Sequence, residues 1–471
     1  MQQRIFGTDG IRGIANTGYL TPENVTKLGE IIGFLLHKNH GIFITHQLPR
    51  VFKLPKSAHK QKKLSVLVGN DSRISGPMLE DAIAGGLTSE GIDVIKIGVI
   101  STPALAYLAR VEDVALGVMI SASHNQYDSN GIKIFSTEGV KIPDKAELLI
   151  EKYLSGLKSY KPVNPLDIGH IINDSKKVND YIKYICNKHS HYLNDVKIVL
   201  DCANGGTSYL APEVFKRLGA KIISIGCAPN GTNINKNCGS LYPERVKRAV
   251  LKHKADIGFS FDGDGDRVII TDEKGNIRDG DYVKAILARH YKKLGKLAKN
   301  TVVGTVMSNT GLEVSLREAG IKLVRTPVGD RNVADSMFRN GYILGGEQSG
   351  HIILLNRSIT GDGLITALEI LKVMKAERKT FSRLSDCMKK YPQVLVNLKV
   401  KSKPELSSLK GYKAKVGEIT KSLGVNNQVV IRYSGTEPLL RIMIEAEDMK
   451  KIKSAADELV KFFSKHIPII K

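Results

Sequence analysis

The chain has few cysteines, and none are close neighbours. It contains no Cys-x-x-Cys pair, and its five thiols are scattered over Cys186, Cys202, Cys227, Cys238 and Cys387. Zinc sites and disulfide frameworks use closely spaced or regularly patterned cysteines. The scatter therefore favours reduced thiols and a cytoplasmic protein over either of those classes.

Long apolar runs are also missing. No stretch approaches the roughly 20 apolar residues that a membrane-spanning helix needs, and the opening Met-Gln-Gln-Arg-Ile-Phe lacks the pattern of a secretion signal. We therefore expect no membrane partner. A chain of 471 residues is too long for one hydrophobic core, which predicts several domains.

Acidic residues are absent between residues 31 and 70, and the whole chain carries a formal net charge of +23. Such a protein could bind nucleic acid or attract phosphorylated small molecules. No nucleic-acid-binding motif is recognisable and the lysines are spread along the chain, so we expect no nucleic-acid partner. Most of residues 40–62 is interpreted as an inserted basic loop, solvated rather than used for docking.

Three stretches of the chain repeat one plan, in which an apolar strand, a turn and a helix are followed by a glycine and a second strand. They cover residues 64–97, 196–225 and 301–325. Each needs a crossover between parallel strands, which predicts three similar, mixed but mainly parallel α/β domains. Beyond about residue 386 the plan disappears and a smaller α+β C-terminal domain is expected. The predicted boundaries are 1–168, 169–276, 277–385 and 386–471.

A polar loop between two apolar segments carries the first candidate catalytic residues. One apolar run ends at Ile120 and the next starts at Ile132; the chemically active side chains of this region are Ser121, Ser123, His124, Asn125 and Lys133. Loops held by rigid strands are where reacting groups usually lie. A serine beside a histidine suggests a nucleophile, although a catalytic triad needs partners from elsewhere in the fold.

Three aspartates alternate with glycines in the segment Phe-Asp-Gly-Asp-Gly-Asp-Arg at 261–267. The glycines allow a tight turn, so that the carboxylates of Asp262, Asp264 and Asp266 meet around one point. Clustered carboxylates repel one another unless a hard cation lies among them, and oxygen ligands suit Mg²⁺. A hydroxyl loop and a Mg²⁺ loop together point to phosphoryl transfer through a phosphoserine.

Five short motifs follow one another in an order that indicates a family resemblance. Ser-Ala-Ser-His-Asn at 121–125, Asn-Gly-Ile-Lys at 130–133 and Asp-Gly-Asp-Gly-Asp-Arg at 262–267 resemble motifs of the α-D-phosphohexomutases. Phe-Gly-Thr-Asp-Gly-Ile-Arg-Gly at 6–13 and Gly-Gly-Glu-Gln-Ser-Gly-His at 345–351 look like the bacterial phosphoglucosamine mutase branch of that family. The resemblance runs from residue 4 to about residue 447 and implies four domains around a central cleft.

The resemblance also assigns the reacting groups. It places the phosphate on the serine directly before His-Asn, Ser123, and one Mg²⁺ per chain on phosphorylated Ser123 and the three aspartates. Arg12, in a glycine-punctuated loop, would face the transferring phosphate, and Arg267 would contact phosphate. Lys133 and His124 are the candidate acid or base.

Three further segments are predicted to bind the substrate. Asp330 and Arg331 follow the second strand of the third α/β unit, at the edge where open α/β sheets place ligands. The resemblance implies that Glu347 and Ser349 bind the sugar's O3 and O4, with His351 beside them. Small hydroxyl residues, a glycine and arginines suit a third loop to grip phosphate, and the resemblance implies that this loop holds the phosphate that is not reacting. Its residues are Arg432, Ser434, Gly435, Thr436 and Arg441.

The activity implied by the resemblance is the interconversion of glucosamine 6-phosphate and glucosamine 1-phosphate, which supplies UDP-N-acetylglucosamine synthesis. Phosphorylated Ser123 would phosphorylate the sugar, and the glucosamine 1,6-bisphosphate so formed would turn around and return its other phosphate. This bisphosphate would also be the activator. The expected partners are the phosphosugar, an activating kinase or bisphosphate donor, and a second copy of the chain in a homodimer.

Other activities stay open at this point. A phosphomannomutase/phosphoglucomutase would apply the same mechanism to another sugar. A phosphatase with an aspartate nucleophile in the metal-binding segment is a further alternative, as is a basic scaffold or nucleic-acid binder. A serine hydrolase would leave the aspartate triplet unexplained.

Two positions depart from the usual family pattern. Gln126 stands where a proline usually follows Ser-His-Asn, and Ser129 stands where an aspartate usually precedes Asn-Gly. Neither change removes a proposed chemical group. Both bear on the rigidity expected of the loop around Ser123.

Overall fold

The computed structural model describes residues 4–7, 9–44, 64–156, 163–188, 193–434 and 438–470. Most of the predicted insertion at 40–62 lies outside these ranges, as do Gly435 and Thr436. The insertion's described beginning, His40–Phe43, is a short 3-10 helix whose Phe43 is buried in a hydrophobic core. Phe43 therefore packs against the protein, whereas Gly41 is exposed.

The first part of the chain builds a seven-stranded sheet. Its strands are β1 (Phe6–Gly7), β2 (Gly10–Ile14), β3 (Ser65–Asn70), β4 (Asp93–Val99), β5 (Leu116–Ile120), β6 (Ser129–Ser136) and β7 (Ile171–Asn173). They lie in the order β1-β2-β6-β5-β3-β4-β7, where β5, β3, β4 and β7 are parallel neighbours and the other pairs are antiparallel. The helices of this part are α1 (Pro22–Asn39), α2 (Gly76–Ser89), α3 (Thr102–Val111) and α4 (Asp144–Leu154).

The second sheet has five strands, β8 (Lys197–Asp201), β9 (Lys221–Ile225), β10 (Ile257–Phe261), β11 (Val268–Asp272) and β12 (Ile277–Arg278). Their order is β12-β11-β10-β8-β9; β10, β8 and β9 are parallel, and β11 and β12 are antiparallel to their neighbours. The accompanying helices are α5 (Val178–Lys188), α6 (Leu210–Arg217) and α7 (Glu244–His253).

The third sheet has four strands, β13 (Thr301–Thr305), β14 (Lys322–Thr326), β15 (Leu344–Gly346) and β16 (Ile352–Leu354), in the order β14-β13-β15-β16. Only β15 and β16 pair in the antiparallel sense. The helices are α8 (Gly280–Lys293), α9 (Thr310–Glu318), α10 (Asp330–Asn340), α11 (Gly363–Glu377) and α12 (Phe381–Ser385).

The C-terminal domain has a different construction. Its antiparallel sheet, in the order β17-β19-β18, consists of β17 (Gln393–Lys399), β18 (Gln428–Tyr433) and β19 (Leu439–Glu445), with α13 (Tyr412–Ser422) and α14 (Met449–His466) packed on it. Its core residues all come from this part of the chain, whereas one core runs through the three α/β domains from Leu67 to Met388. The first three domains thus share apolar packing that the fourth does not.

The repeated strand–helix–strand plan is confirmed in all three places. Gly91, Gly219 and Gly320 each take a positive φ just after a helix, a backbone conformation that glycine adopts without steric penalty. The α/β class with a smaller α+β domain is confirmed as well. Each of the three sheets is mixed because a parallel set of strands is extended by an antiparallel hairpin.

Two details differ from the expectation or go beyond it. The segment from Phe6 to Gly13 is expected as a loop, but its described residues include two antiparallel strands, β1 and β2, and β2 joins the first sheet beside β6. Strands β7 and β12 pair with the first and second sheets slightly beyond residues 168 and 276; the boundaries themselves stay predictions. In the described part of the chain, no helix is both long enough and apolar enough to cross a membrane.

Candidate active site

Each of the four loops singled out in the sequence connects two antiparallel neighbouring strands. The serine loop (121–128) joins β5 to β6, the metal loop (262–267) joins β10 to β11, and the sugar loop (347–351) joins β15 to β16. The phosphate loop (434–438) joins β18 to β19 in the same way. Each of the four sheets therefore contributes one of these loops, and each loop connects two antiparallel strands.

The serine loop and the metal loop meet at Ser123. Its Oγ donates a hydrogen bond of 2.7 Å to Asp262 Oδ2, and both side chains are fully buried. The backbone N–H of Arg267 donates to the other oxygen of Asp262 at 3.1 Å. The structure thus brings the predicted nucleophile into direct contact with the predicted metal ligands.

The three aspartates of the metal loop form a compact buried cluster. Asp262, Asp264 and Asp266 each offer an oxygen within 4.8 Å of the others. Oδ1 of Asp264 and Oδ1 of Asp266 are buried and accept no hydrogen bond from the residues that the structure describes. Burial and the neighbouring carboxylates of Asp266 and Asp264 raise the pKa of Asp262 well above its usual range. A hard divalent cation would relieve this repulsion and satisfy the bare oxygens.

Lys133 lies against this cluster as a fixed cation. Its Nζ is 2.8 Å from Asp264 Oδ2 and 2.9 Å from Asp9 Oδ2. Burial opposes the charged form, but Asp264 and Asp9 outweigh it and hold the pKa of Lys133 well above its usual range. An ammonium held this firmly is a poor acceptor of protons, which weakens the predicted role of Lys133 as a base.

The surroundings of His124, unlike those of Lys133, favour the neutral form of the side chain. Burial, then Arg267 and Arg12, lower the pKa of His124 to about 4. Its Nδ1 is buried and has no hydrogen-bond partner in the described part of the chain. The imidazole is therefore neutral at pH 7, and the two predicted phosphate-binding arginines lie close enough to act on it.

The predicted substrate residues Asp330 and Arg331 are engaged with the first domain. Asp330 Oδ2 lies 2.6 Å from Lys141 Nζ, and Lys141 also pairs with Asp9. The Arg331 guanidinium donates to Glu147 Oε1 at 2.6 Å, and it also pairs with the carboxylate of Asp144 and donates to the carbonyl of Ile142. A substrate role for either residue stays a prediction and would require these contacts to rearrange.

The sugar loop presents two of its three predicted residues to solvent. Ser349 is exposed and Glu347 is half-buried, with Glu347 Oε1 accepting a hydrogen bond of 3.0 Å from the Gly329 backbone N–H. His351, in contrast, is buried, and its Nδ1 lies 3.5 Å from Asp266 Oδ2. The structure thus places His351 behind the metal loop, whereas Glu347 and Ser349 stay accessible.

The phosphate loop brings two arginines side by side. Arg432 on β18 and Arg441 on β19 are directly opposite in the antiparallel register. Burial and Arg441 lower the pKa of Arg432. Ser434 is buried, and its carbonyl accepts a hydrogen bond of 2.7 Å from Lys403. Like charges in such a pair repel, and a bound phosphate would compensate them.

Sequence reasoning missed several residues that complete these sites. Thr102 Oγ1 donates to Asp264 Oδ2 at 2.6 Å, Lys141 bridges Asp9 and Asp330, and Lys403 supports Ser434. Thr102 starts a helix directly after a strand, which is a position where sheet ligands gather. Nothing in the local sequence marks Lys141 or Lys403, because their partners are distant in the chain.

Four family models match the chain in sequence order. They describe the phosphoglucomutase/phosphomannomutase alpha/beta/alpha domain I at residues 3–46 and 52–161, domain II at 179–275, domain III at 279–391 and the C-terminal domain at 395–462. The matched segments contain the serine, metal, sugar and phosphate loops.

Similar proteins cover nearly the full chain. The protein named phosphoglucosamine mutase of Caldanaerobacter subterraneus subsp. tengcongensis is 46% identical over 97% of this chain and 98% of its own length. The phosphoglucosamine mutase of Thermoanaerobacter pseudethanolicus is also 46% identical, over 98% of this chain and 99% of its own length. The crystal structure of a phosphoglucomutase/phosphomannomutase family protein from Burkholderia thailandensis superposes with a TM-score of 0.77 at 21% identity, covering 98% of this chain and 99% of that one. At that identity the superposition concerns the fold alone.

Proposed function

Because this chain belongs to the phosphoglucomutase/phosphomannomutase family, we propose that it interconverts glucosamine 6-phosphate and glucosamine 1-phosphate. The observation that carries the chemistry is the 2.7 Å contact between Ser123 Oγ and Asp262 Oδ2. It sets a hydroxyl nucleophile against a carboxylate cluster suited to a metal. The choice of the amino sugar is supported by the relatives named phosphoglucosamine mutase, 46% identical over nearly the full chain.

The residues of the metal loop fit Mg²⁺. They supply three buried carboxylates, and two of these have an oxygen that accepts no hydrogen bond from any described residue. We assign Asp262, Asp264, Asp266 and the phosphate of phosphorylated Ser123 as its ligands. When bound, the ion neutralises negative charge at the phosphoryl group that is transferred.

Ser123 carries the phosphoryl group in this reaction. In the first half, a sugar hydroxyl oxygen bonds to phosphorus while the bond to Ser123 Oγ breaks, giving the 1,6-bisphosphate. In the second half, Ser123 Oγ bonds to the other phosphorus and the bond from that phosphorus to the sugar oxygen breaks. The Ser123 hydroxyl points its proton at Asp262 Oδ2, which orients Oγ for this second attack.

The charged and neutral side chains around Ser123 have different proposed roles in the transfer. Arg12 and Arg267 bind the oxygens of the transferring phosphoryl group and stabilise the charge that develops there. His124, which is neutral with a pKa of about 4, is the group proposed to take the proton of the attacking hydroxyl in each half, the sugar's in the first and that of Ser123 in the second, and to give it to the oxygen that leaves phosphorus. Lys133 stays charged and holds Asp264 and Asp9 in place.

The far end of the substrate is bound by the other two loops. Glu347 and Ser349 accept from and donate to the sugar hydroxyls, and Asp330, Arg331 and His351 remain proposed contacts. Two arginines on facing strands hold the phosphate that does not react, and this binding positions the reacting end. The full proposed set for this phosphate is Arg432, Ser434, Gly435, Thr436 and Arg441.

The bisphosphate must turn around between the two transfers, and the C-terminal domain is the part suited to open for it. Its core is separate from the core shared by the three α/β domains, so it can rotate without breaking their packing. Glucosamine 1,6-bisphosphate is proposed as the priming activator, with a kinase as an alternative source of the first phosphate. We further propose that the protein is a cytoplasmic homodimer and that its product supplies UDP-N-acetylglucosamine synthesis.

The decisive experiment compares sugars. kcat/KM of bisphosphate-primed enzyme with Mg²⁺ is measured on glucosamine 6-phosphate, glucose 6-phosphate and mannose 6-phosphate. We expect a preference for the amino sugar of at least about tenfold, which corresponds to about 1.4 kcal/mol of transition-state discrimination. Faster turnover of glucose or mannose phosphate would select the alternative, a phosphomannomutase/phosphoglucomutase with the same mechanism. No turnover of any of the three would overturn the proposal.

A further inference from the structure

The reacting serine has an unusual backbone conformation. Ser123 has φ = +53°, in the left-handed region that residues other than glycine seldom adopt. Such a conformation persists only where the surroundings hold it. Ser121 Oγ accepts the Ser123 N–H at 2.9 Å, and the Ser123 carbonyl is bound by two side chains from two different domains, Arg73 and Asn235.

Arg73 binds the serine loop from within the first domain. Its side chain is fully buried and its Nε pairs with Asp71 Oδ2 at 3.0 Å. Its Nη2 donates to the carbonyls of Ser123 at 2.9 Å and Asn125 at 2.8 Å, and its Nη1 donates to the carbonyl of Ser129 at 2.9 Å. One guanidinium therefore fixes carbonyls along the whole loop, for which its planar set of donors is well suited.

Arg73 also holds the backbone at residue 126, where the chain departs from the family pattern. Its Nη1 donates to the carbonyl of Gln126, the residue that stands where a proline is usual. A proline would restrict the loop through its ring, whereas here the loop is restricted through its carbonyls. The loop is thus held in place without the proline.

Asn235 binds the same loop from the second domain. Its Nδ2 donates to the carbonyls of Ser123 and Asn125, both at 2.8 Å. Its own backbone N–H donates to the Ala203 carbonyl at 2.9 Å, which anchors it in its domain. The metal loop packs closely against this hydrogen bond. A Cβ added at Gly263 would lie only 2.5 Å from Asn235 Nδ2 and 2.6 Å from the Ser123 carbonyl oxygen.

We propose that Arg73 and Asn235 are positioning residues that clamp the serine loop from two domains and thereby set the position of Ser123 Oγ against Asp262. The inference rests on the proposed function. Both residues grip the carbonyls of Ser123 and Asn125, so the loop has its reactive shape only while the first two domains are docked. Within the described residues, neither side chain hydrogen-bonds to Ser123 Oγ or to the sugar and phosphate loops, so their effect is expected on the transfer step.

The test compares Asn235→Ala with Asn233→Ala. Asn233 lies in the same loop of the second domain, but its side-chain Nδ2 donates to Ala228 and does not contact the serine loop. We expect Asn235→Ala to lower kcat by about 100-fold, the effect of a misplacement of about 1 Å, while KM for the sugar phosphate changes less than about threefold. Asn233→Ala should keep kcat within about threefold of the unchanged protein.

Two further readouts separate positioning from general damage. The single-turnover rate at which a hexose 1,6-bisphosphate phosphorylates Ser123, followed by intact mass, should fall together with kcat in Asn235→Ala. Arg73→Lys keeps the charge beside Asp71 but cannot reach all of the carbonyls, and it should show the same pattern. Circular dichroism reports whether each variant is folded.

The outcomes distinguish this inference from the proposed function. If the unchanged protein turns over no hexose phosphate, the proposed function fails. If it is active and Asn235→Ala keeps its kcat, or Asn233→Ala loses as much, the clamp alone is overturned. A loss confined to KM would also overturn the clamp, because it would mean that Asn235 acts on binding.

Discussion

Glu445 on β19 accepts two hydrogen bonds from Thr310 at the start of α9, one from the backbone N–H at 2.8 Å and one from the hydroxyl at 3.0 Å. The pair joins the C-terminal domain to the third α/β domain. Gln393 donates to the other carboxylate oxygen of Glu445 at 2.9 Å. Burial raises the pKa of Glu445 from 4.5 to about 7, and the bonds from Thr310 only partly offset this. The contact between these two domains is therefore sensitive to pH.

The first prediction concerns this pH dependence. Because the folded pKa of Glu445 lies above the unfolded one, its stabilising contribution is complete below about pH 4.5 and is lost as pH rises through about 7. Between pH 5 and pH 8 the unchanged protein should lose about 2 kcal/mol of unfolding free energy through the ionisation of Glu445. Glu445→Gln cannot ionise and should not show this loss. Urea unfolding followed by circular dichroism at both pH values measures it. Parallel pH dependence of the two proteins would contradict the prediction.

The second prediction identifies the phosphorylated serine. Ser123→Ala should lower mutase turnover by more than about 1,000-fold, since the group that carries the phosphate is gone. Ser121→Ala is the matched control: Ser121 Oγ accepts the Ser123 N–H at 2.9 Å and donates to Asp71 at 2.5 Å, so it shapes the loop without touching Asp262. Peptide mass spectrometry should find phosphate on residue 123 in this control. Phosphate on Ser121, or hydrolysis of sugar phosphate that survives in Ser123→Ala, would contradict the assigned role.

The third prediction concerns metal binding without reference to activity. At about 100 times its dissociation constant, Mg²⁺ should stabilise the protein by about 2.7 kcal/mol, visible as a higher Tm that EDTA reverses. Asp262→Asn should lose most of this shift because one ligand charge is removed. Asp256→Asn is the control, since that carboxylate lies just before β10 and binds the Lys197 backbone N–H. An equal Mg²⁺ response in all three proteins would place the ion elsewhere.

Much of this architecture can be predicted from local sequence patterns. The strands β8 and β13 are apolar runs, and the helices after them end at glycines, so each unit could be recognised without its neighbours. The alternation of Asp262, Asp264 and Asp266 with glycine likewise encodes the metal loop within six residues.

Contacts between distant segments could not be found in this way. Asn235 meets Ser123 across 112 positions, and Lys141 meets Asp330 across 189. Such pairs depend on how whole domains dock, and single polar residues at this separation have no local pattern. His351 is a further example. Its place in the sequence predicts a contact with the sugar, whereas its side chain turns back toward Asp266, a residue distant in the chain.

The fourth prediction tests the phosphate loop. Arg432→Met should raise KM for the sugar phosphate by about 10- to 100-fold, the loss expected for a hydrogen bond to a charged group. The Tm without substrate should not fall, because Arg441 directly opposite loses a like-charged neighbour. Lys399→Met on β17, the other edge strand of this sheet, removes the same charge from an exposed position and serves as control. If both variants raise KM equally, the arginine contributes only long-range attraction to a basic protein, and the phosphate is held elsewhere.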